Sequence, residues 1–115
     1  MRIINYNFGI FAEKFCLFWL FCKGYKILAH RYKCFAGEID IIALQKNTLI
    51  FIEVKARKKS ITNQQVLFDK QISRIMKTAE YFVSKNQYLH QCNRRFDLIE
   101  FSSIFNITHK RDFMI

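Results

Sequence analysis

The chain has 115 residues, of which 19 are Lys or Arg and 9 are Asp or Glu, a formal net charge of +10; about half of it is hydrophobic, with four Cys and no Pro. A chain of this length forms one small domain that buries roughly 65% of its unfolded surface, and its composition excludes a disordered or peptide-like molecule. The charge surplus favours a polyanionic partner, either nucleic acid or an anionic membrane face.

Cys16, Cys22, Cys34 and Cys92 make no Cys-x-x-Cys pair, and His30, His90 and His109 lack zinc-finger spacing. Reduced thiols of a cytoplasmic protein are the simplest reading. The longest apolar run, Phe15 to Cys22, is preceded by Glu13-Lys14 and followed by Lys23-Gly24-Tyr25. It is too short to span a membrane and lacks the small residues of a cleavable leader, so no membrane insertion is expected.

In chain order, the first element predicted is a helix capped by Asn7 and ended by Gly24, with Phe8, Phe11, Phe15, Phe18 and Cys22 at helical spacing. Leu17, Leu20 and Phe21 make its later half apolar almost all round, so it is either deeply buried or covered by a partner chain. Tyr25 to Tyr32 reads as a strand, and Gly37 marks a turn or a close backbone approach. A hairpin follows, with strands over 38–44 and 49–57 around the polar turn Gln45-Lys46-Asn47-Thr48. Thr62 and Gln65 form a capping-box signature, and Phe68, Ile72, Ile75, Met76, Ala79, Phe82 and Val83 give a second helix its apolar stripe. Arg95 to Phe101 reads as another strand, and Ile104 to Thr108 as a further short one or an extended tail. The predicted order is α-β-β-β-α-β in a single domain over 1–115, with a mixed sheet flanked by helices.

The hairpin carries the chemistry. If the turn lets Leu44 face Leu49, Asp40 falls opposite Glu53 and Glu38 opposite Lys55. Side-chain alternation then puts Glu38, Asp40, Glu53, Lys55 and Arg57 on one face, and Ile39, Ile41, Ala43, Ile50, Ile52, Val54 and Ala56 on the other. Like charges opposed across a strand pair destabilise it, with side-chain roots about 4.5–5.5 Å apart, so Asp40 and Glu53 call for a compensating group. A hard divalent cation such as Mg²⁺ takes carboxylate oxygens and keeps waters for a substrate phosphate. Lys55 would stand beside it, placed to orient an attacking water or to stabilise phosphorane charge. The bland alternative is a hairpin with one buried and one solvated face, on which Glu38 and Lys55 form an ordinary ion pair.

Glu13 lies amid Ile10, Leu17 and Leu20 and, if buried, needs a partner; an exposed Glu in the helix is the alternative. On the second helix Lys70, Arg74, Lys77 and Tyr81 recur on one side, with Arg57, Lys58 and Lys59 upstream, a stripe that could track a phosphate backbone or simply be solvated.

Gly9-x-x-Ala12-Glu13, Gly37-Glu38-Ile39-Asp40-Ile41-Ile42-Ala43, Phe51-Ile52-Glu53-Val54-Lys55-Ala56-Arg57, Lys70 and Arg95-Phe96-Asp97 together resemble the YraN family. The resemblance runs from about Gly9 to Phe101. That family is similar to compact PD-(D/E)XK nucleases and archaeal Holliday-junction resolvases, which implies an α/β (α+β) restriction-endonuclease-like core. It further implies Asp40 and Glu53 as ligands of Mg²⁺ or Mn²⁺, Lys55 as the catalytic lysine, Glu13 as an acid aimed at the site from the first helix, and Glu38 as part of the Gly-Glu-x-Asp block. His30 stands where the family usually shows Asn, and Lys110 to Phe113 depart from its usual ending.

The expectation is therefore a Mg²⁺-dependent endonuclease acting on DNA, branched DNA included, with Arg57, Lys58, Lys59, Lys70, Arg74 and Lys77 gripping phosphates. A homodimer is expected from the same resemblance, because resolvases meet two-fold junctions as dimers. The alternative keeps the fold and makes it a non-catalytic nucleic-acid-binding module.

Overall fold

The computed structural model describes residues 2–57 and 69–113. Helix α1 spans Arg2–Cys22. It begins upstream of Asn7, which is an interior residue and not the cap the sequence suggests. No Gly or Pro precedes Asn7 to stop the helix, and an interior Asn costs only about 0.7 kcal/mol. The C-terminal end follows expectation: Gly24 takes φ +92°, its amide bonds to the Phe21 carbonyl (3.0 Å), and the Tyr25 amide bonds to the Leu20 carbonyl (3.0 Å). This is a Schellman closure, and Leu20 and Tyr25 bury together beneath it.

Strands β1 (Lys26–Cys34), β2 (Gly37–Gln45), β3 (Thr48–Ala56), β4 (Asn93–Ser103) and β5 (Asn106–Lys110) form one sheet in that order. Neighbours are antiparallel except β3 and β4, which are parallel. The crossover between those two is carried by helix α2 (Asp69–Lys85) and a short 3₁₀ turn, Gln87–Leu89, as a parallel connection requires. The segment read as a short strand or a tail is β5, paired along the edge of β4. The result is the mixed sheet with flanking helices predicted, an α+β arrangement consistent with a restriction-endonuclease-like core.

Each sheet face has its own apolar core. On one, Ile75, Ala79, Phe82 and Val83 of α2 pack on Ile39, Ile42, Leu49, Phe51 and Phe96. On the other, Ala12, Cys16 and Leu20 of α1 pack on Ile41, Ala43, Ile50, Ile52, Val54, Ile99 and Phe101. Met76, assigned from sequence to the apolar stripe of α2, is instead exposed, because it falls past the edge of the arc that faces the sheet. Likewise α1 is not buried all round: Phe11, Phe18 and Phe21 are exposed. Phe68, the Thr62–Gln65 capping box, Lys58 and Lys59 lie outside the described residues.

The β2–β3 register is the one read from sequence, with Leu44 opposite Leu49 and Ile41 opposite Ile52. The face assignment needs two corrections. The face that carries the acids is not polar throughout, since Ile42, Leu49 and Phe51 on it form the floor beneath α2. Ile39 also packs on that face and not with Ile41, so alternation fails between them. The reading of one buried and one solvated face is thereby excluded.

Candidate metal and phosphate site

The failure of alternation is centred on one row of the sheet. Arg31 lies between the pairs His30–Ile41 and Tyr32–Ile39, opposite Asp40, and adopts φ +56°. A left-handed residue within a strand turns successive side chains toward one side. His30 and Arg31 accordingly both reach Glu13 of α1, at 3.2 Å from Nε2 and 3.1 Å from Nε to the same carboxylate oxygen. Glu13 is half-buried, with 15% of its side chain exposed, between the two readings the sequence allowed, and its partners come from β1.

In the same row the β2–β3 ladder exchanges backbone acceptors for side chains. The Val54 amide donates to Asp40 Oδ2 at 2.8 Å, and the Asp40 amide donates to Glu53 Oε2 at 3.3 Å. The two opposed acids are thus stitched into the ladder and cannot rotate away from each other without breaking it. They line an open cleft of about 250 Å³ with Gly37, Glu38, Gln71, Arg74 and Ile75.

Burial acts on both acids. It is the main cause pushing Asp40 up to about 6 and Glu53 up to about 8, with the Asp40 charge the next cause at Glu53. The backbone amides and the Lys55 charge act in the opposite direction and do not offset burial. Glu13 and Glu38 add negative potential at Asp40. The cleft is therefore rich in acids inside an otherwise basic protein, with Arg74 on its lining.

The structure brings Asp40, Glu53 and Glu38 into one cleft, sets Lys55 within electrostatic reach of Asp40 and Glu53, and lets Glu13 act from the α1 side. Arg74 lines the cleft, while Lys70 and Lys77 are exposed on the same side of α2 and do not line it. Arg57 closes β3, its amide bonded to the Phe101 carbonyl at 2.9 Å. Gln71 is a cleft residue the sequence reading missed; its one signal is its spacing of three and four residues before Arg74 and Ile75.

A sequence model of one family, described as "Uncharacterised protein family UPF0102", matches residues 12–101, from Ala12 within α1 to the buried Phe101 of β4. The chain belongs to UPF0102, the YraN family. A UPF0102 protein of Ehrlichia chaffeensis is 40% identical over 109 residues, covering 94% of this chain and 87% of the relative. Another, from Caldanaerobacter subterraneus subsp. tengcongensis, is 41% identical over 95 residues, covering 80% of this chain and 76% of its own length. The UPF0102 match spans every cleft residue and both cores.

Which group could occupy the cleft of this UPF0102 chain is limited by its donors. Among the described residues no group of three or more His, Cys, Asp or Glu side chains gathers to hold a metal ion. The two opposed carboxylates, oxygen donors without imidazole or thiolate, fit a hard cation that needs one or two acids and retains water.

Arg95-Phe96-Asp97, prominent in the family resemblance, builds a different cluster on the α1 face. Asp97 is fully buried and accepts from Arg95 Nε (3.0 Å), pairs with His109 Nε2 (2.7 Å) and accepts the Asp112 amide (2.9 Å). Burial raises its pKa, but the hydrogen bonds from His109, Arg95 and Asp112 outweigh burial and hold it below the usual carboxylate range. Among the described residues no helix is long and apolar enough to cross a membrane.

Proposed function

We propose that this protein is a metal-dependent phosphodiesterase that cleaves DNA, branched DNA included, in the cytoplasm and as a homodimer. The observation that carries the reading is the interlocked pair of half-buried Asp40 and buried Glu53, opposed in a cleft whose lining also includes Arg74. A buried like-charged pair destabilises a strand pair unless something compensates it, and a site that stores such a cost is a functional candidate.

In this reading Asp40 and Glu53 hold Mg²⁺ or Mn²⁺, which when bound polarises the phosphoryl group and lowers the pKa of a bound water. Lys55 orients the attacking water and stabilises the charge that develops on the phosphorane. Glu38 rims the cleft and Glu13 supports the Asp40 row from α1. Arg74 and Arg57, with Lys70 and Lys77 farther along α2, contact phosphates and fix register without reading sequence. Lys58 and Lys59 belong to the same basic group by sequence.

One observation favours a second reading, a nucleic-acid-binding module without chemistry: Asp40 and Glu53 each accept a backbone amide, so both also serve the fold. Calorimetric titration with Mg²⁺ and Mn²⁺ separates the two. The enzyme reading expects binding that disappears in Glu53→Ala with DNA affinity retained; no metal binding by the wild type favours the module. Light scattering tests the dimer, whose contact is expected at the exposed Phe11, Phe18 and Phe21 of α1.

A further inference from the structure

Phe35 sits at the β1–β2 turn with 89% of its surface exposed. A ring this exposed gains little of the roughly 1.5–3 kcal/mol that full burial would supply, so core packing does not account for its position. Yet the turn is held firmly. Gly37, two residues on, has φ +155°, and a Cβ there would lie 3.1 Å from Thr78 Oγ1 and 3.4 Å from Arg74 Cβ, so the turn rests directly on α2. Phe35 stands edge-on to Tyr81 of α2, with ring centroids 5.2 Å apart and planes at 89°, and Lys85 Nζ lies 5.3 Å from the Tyr81 ring centre.

Neither ring lines the acid cleft, but the turn that carries Phe35 reaches it through Gly37, and the helix that carries Tyr81 reaches it through Arg74. Along α2, Lys70, Arg74, Lys77, Tyr81 and Lys85 fall on one side, and Arg74 and Tyr81 are about 10 Å apart along the axis. Cations that run from the cleft to a presented aromatic face match an anionic strand that carries flat bases. Within a continuous duplex the bases are already stacked on their neighbours. A presented ring is useful to a base outside that stack.

We infer that Phe35, braced by Tyr81, is a stacking platform for an unpaired nucleobase, and that the substrate class is DNA with unpaired nucleotides beside the cleaved phosphate. Single strands, flaps and open junctions belong to that class, and uninterrupted duplex does not. This inference rests on the nuclease reading for the cleavage position, but its binding component is independent of metal.

The test measures fluorescence anisotropy in EDTA with a labelled single strand, the same strand carrying abasic positions, and a blunt duplex of equal length. Wild type is expected to prefer the single strand over the duplex and to lose affinity for the abasic strand. Phe35→Ala is expected to bind the single strand about tenfold more weakly, within the range of base–aromatic stacking, and to be insensitive to the abasic positions. Phe35→Leu, which keeps apolar bulk without a flat ring, behaves as Phe35→Ala, and Phe35→Trp retains wild-type affinity. Equal single-strand binding by wild type and Phe35→Ala, or a wild-type preference for blunt duplex, overturns the platform even if Mg²⁺-dependent cleavage is found. Platform behaviour together with undiminished cleavage by Asp40→Ala overturns the catalytic assignment and leaves the platform standing. A wild type with no affinity for any of the three overturns both and leaves the ring to a protein partner.

Discussion

Asp40 and Glu53 face each other across β2 and β3, and each carboxylate accepts a backbone amide from the opposite strand, Val54 to Asp40 at 2.8 Å and Asp40 to Glu53 at 3.3 Å. The hydrogen bonds keep the strands joined where the ladder is irregular, while fixing two acids in the open cleft. Arg31, opposite Asp40, accommodates the irregularity on β1 with its positive φ. The pair therefore has a calculable effect on stability. Both carboxyls have raised pKa values in the fold, so the folded chain retains protons that the unfolded chain releases. Their unfavourable contribution is absent below about pH 4 and grows as pH rises through the window that ends near 8. In metal-free buffer at pH 8.5, Glu53→Gln should melt above wild type, by about 2 kcal/mol in unfolding free energy. Thermal melts from pH 5 to 9 measure this, and equal slopes for the two proteins would count against the buried pair.

Gly37 makes a separate prediction. Its positive φ strains any L side chain, and a methyl group there would press on Thr78 Oγ1 at 3.1 Å, so Gly37→Ala should cost about 1–3 kcal/mol and push on α2 beside the cleft. Denaturant unfolding reads the loss. A variant as stable as wild type would mean that the turn and α2 are not in contact.

Asp97 carries the structural charge cluster. Its pKa is depressed in the fold, so its stabilising contribution is present above its unfolded pKa and is lost as pH falls through the folded one. The protein should therefore lose stability in acid below about pH 4. Asp97→Asn, which leaves Arg95 and the His109 ring without their carboxylate, should cost about 3 kcal/mol at pH 7 and flatten that acid limb. Retention of wild-type acid sensitivity by the variant would contradict the assignment.

The helix end at Gly24, the hairpin register and the opposition of Asp40 to Glu53 were legible because each follows from local turn chemistry and period-two alternation. The α2 crossover was legible from its apolar spacing. What local pattern does not encode is what packs above and below the sheet. The placement of Ile39 with α2, the exchange of ladder acceptors at Asp40 and Glu53, and the left-handed Arg31 all depend on strands brought together by the fold. The same holds for Gln71, a polar helix residue whose role is set by which turn of α2 overlies β2. Arg95 and Asp97 were noticed only as a motif, because their partners His109 and Asp112 lie in the last segment, where a strand or a tail fitted the sequence equally well.

Lys70 and Lys77 stand outside the cleft on the basic side of α2, so Lys70→Ala and Lys77→Ala should weaken DNA binding evenly across sequences and reduce its salt dependence. Affinity measured from 50 to 200 mM salt reads the slope. An unchanged slope in the double variant would remove α2 from the phosphate path.

The central claim is that Asp40 and Glu53 form the metal site of a nuclease, and cleavage tests it most directly. Purified wild type and Asp40→Ala are compared on linear, single-stranded, flapped and four-way-junction DNA with Mg²⁺ or Mn²⁺. Cleavage by wild type, lost in Asp40→Ala while DNA binding is kept, is the predicted result. Equal cleavage by the two proteins, or none by a wild type that binds both metal and DNA, would contradict it.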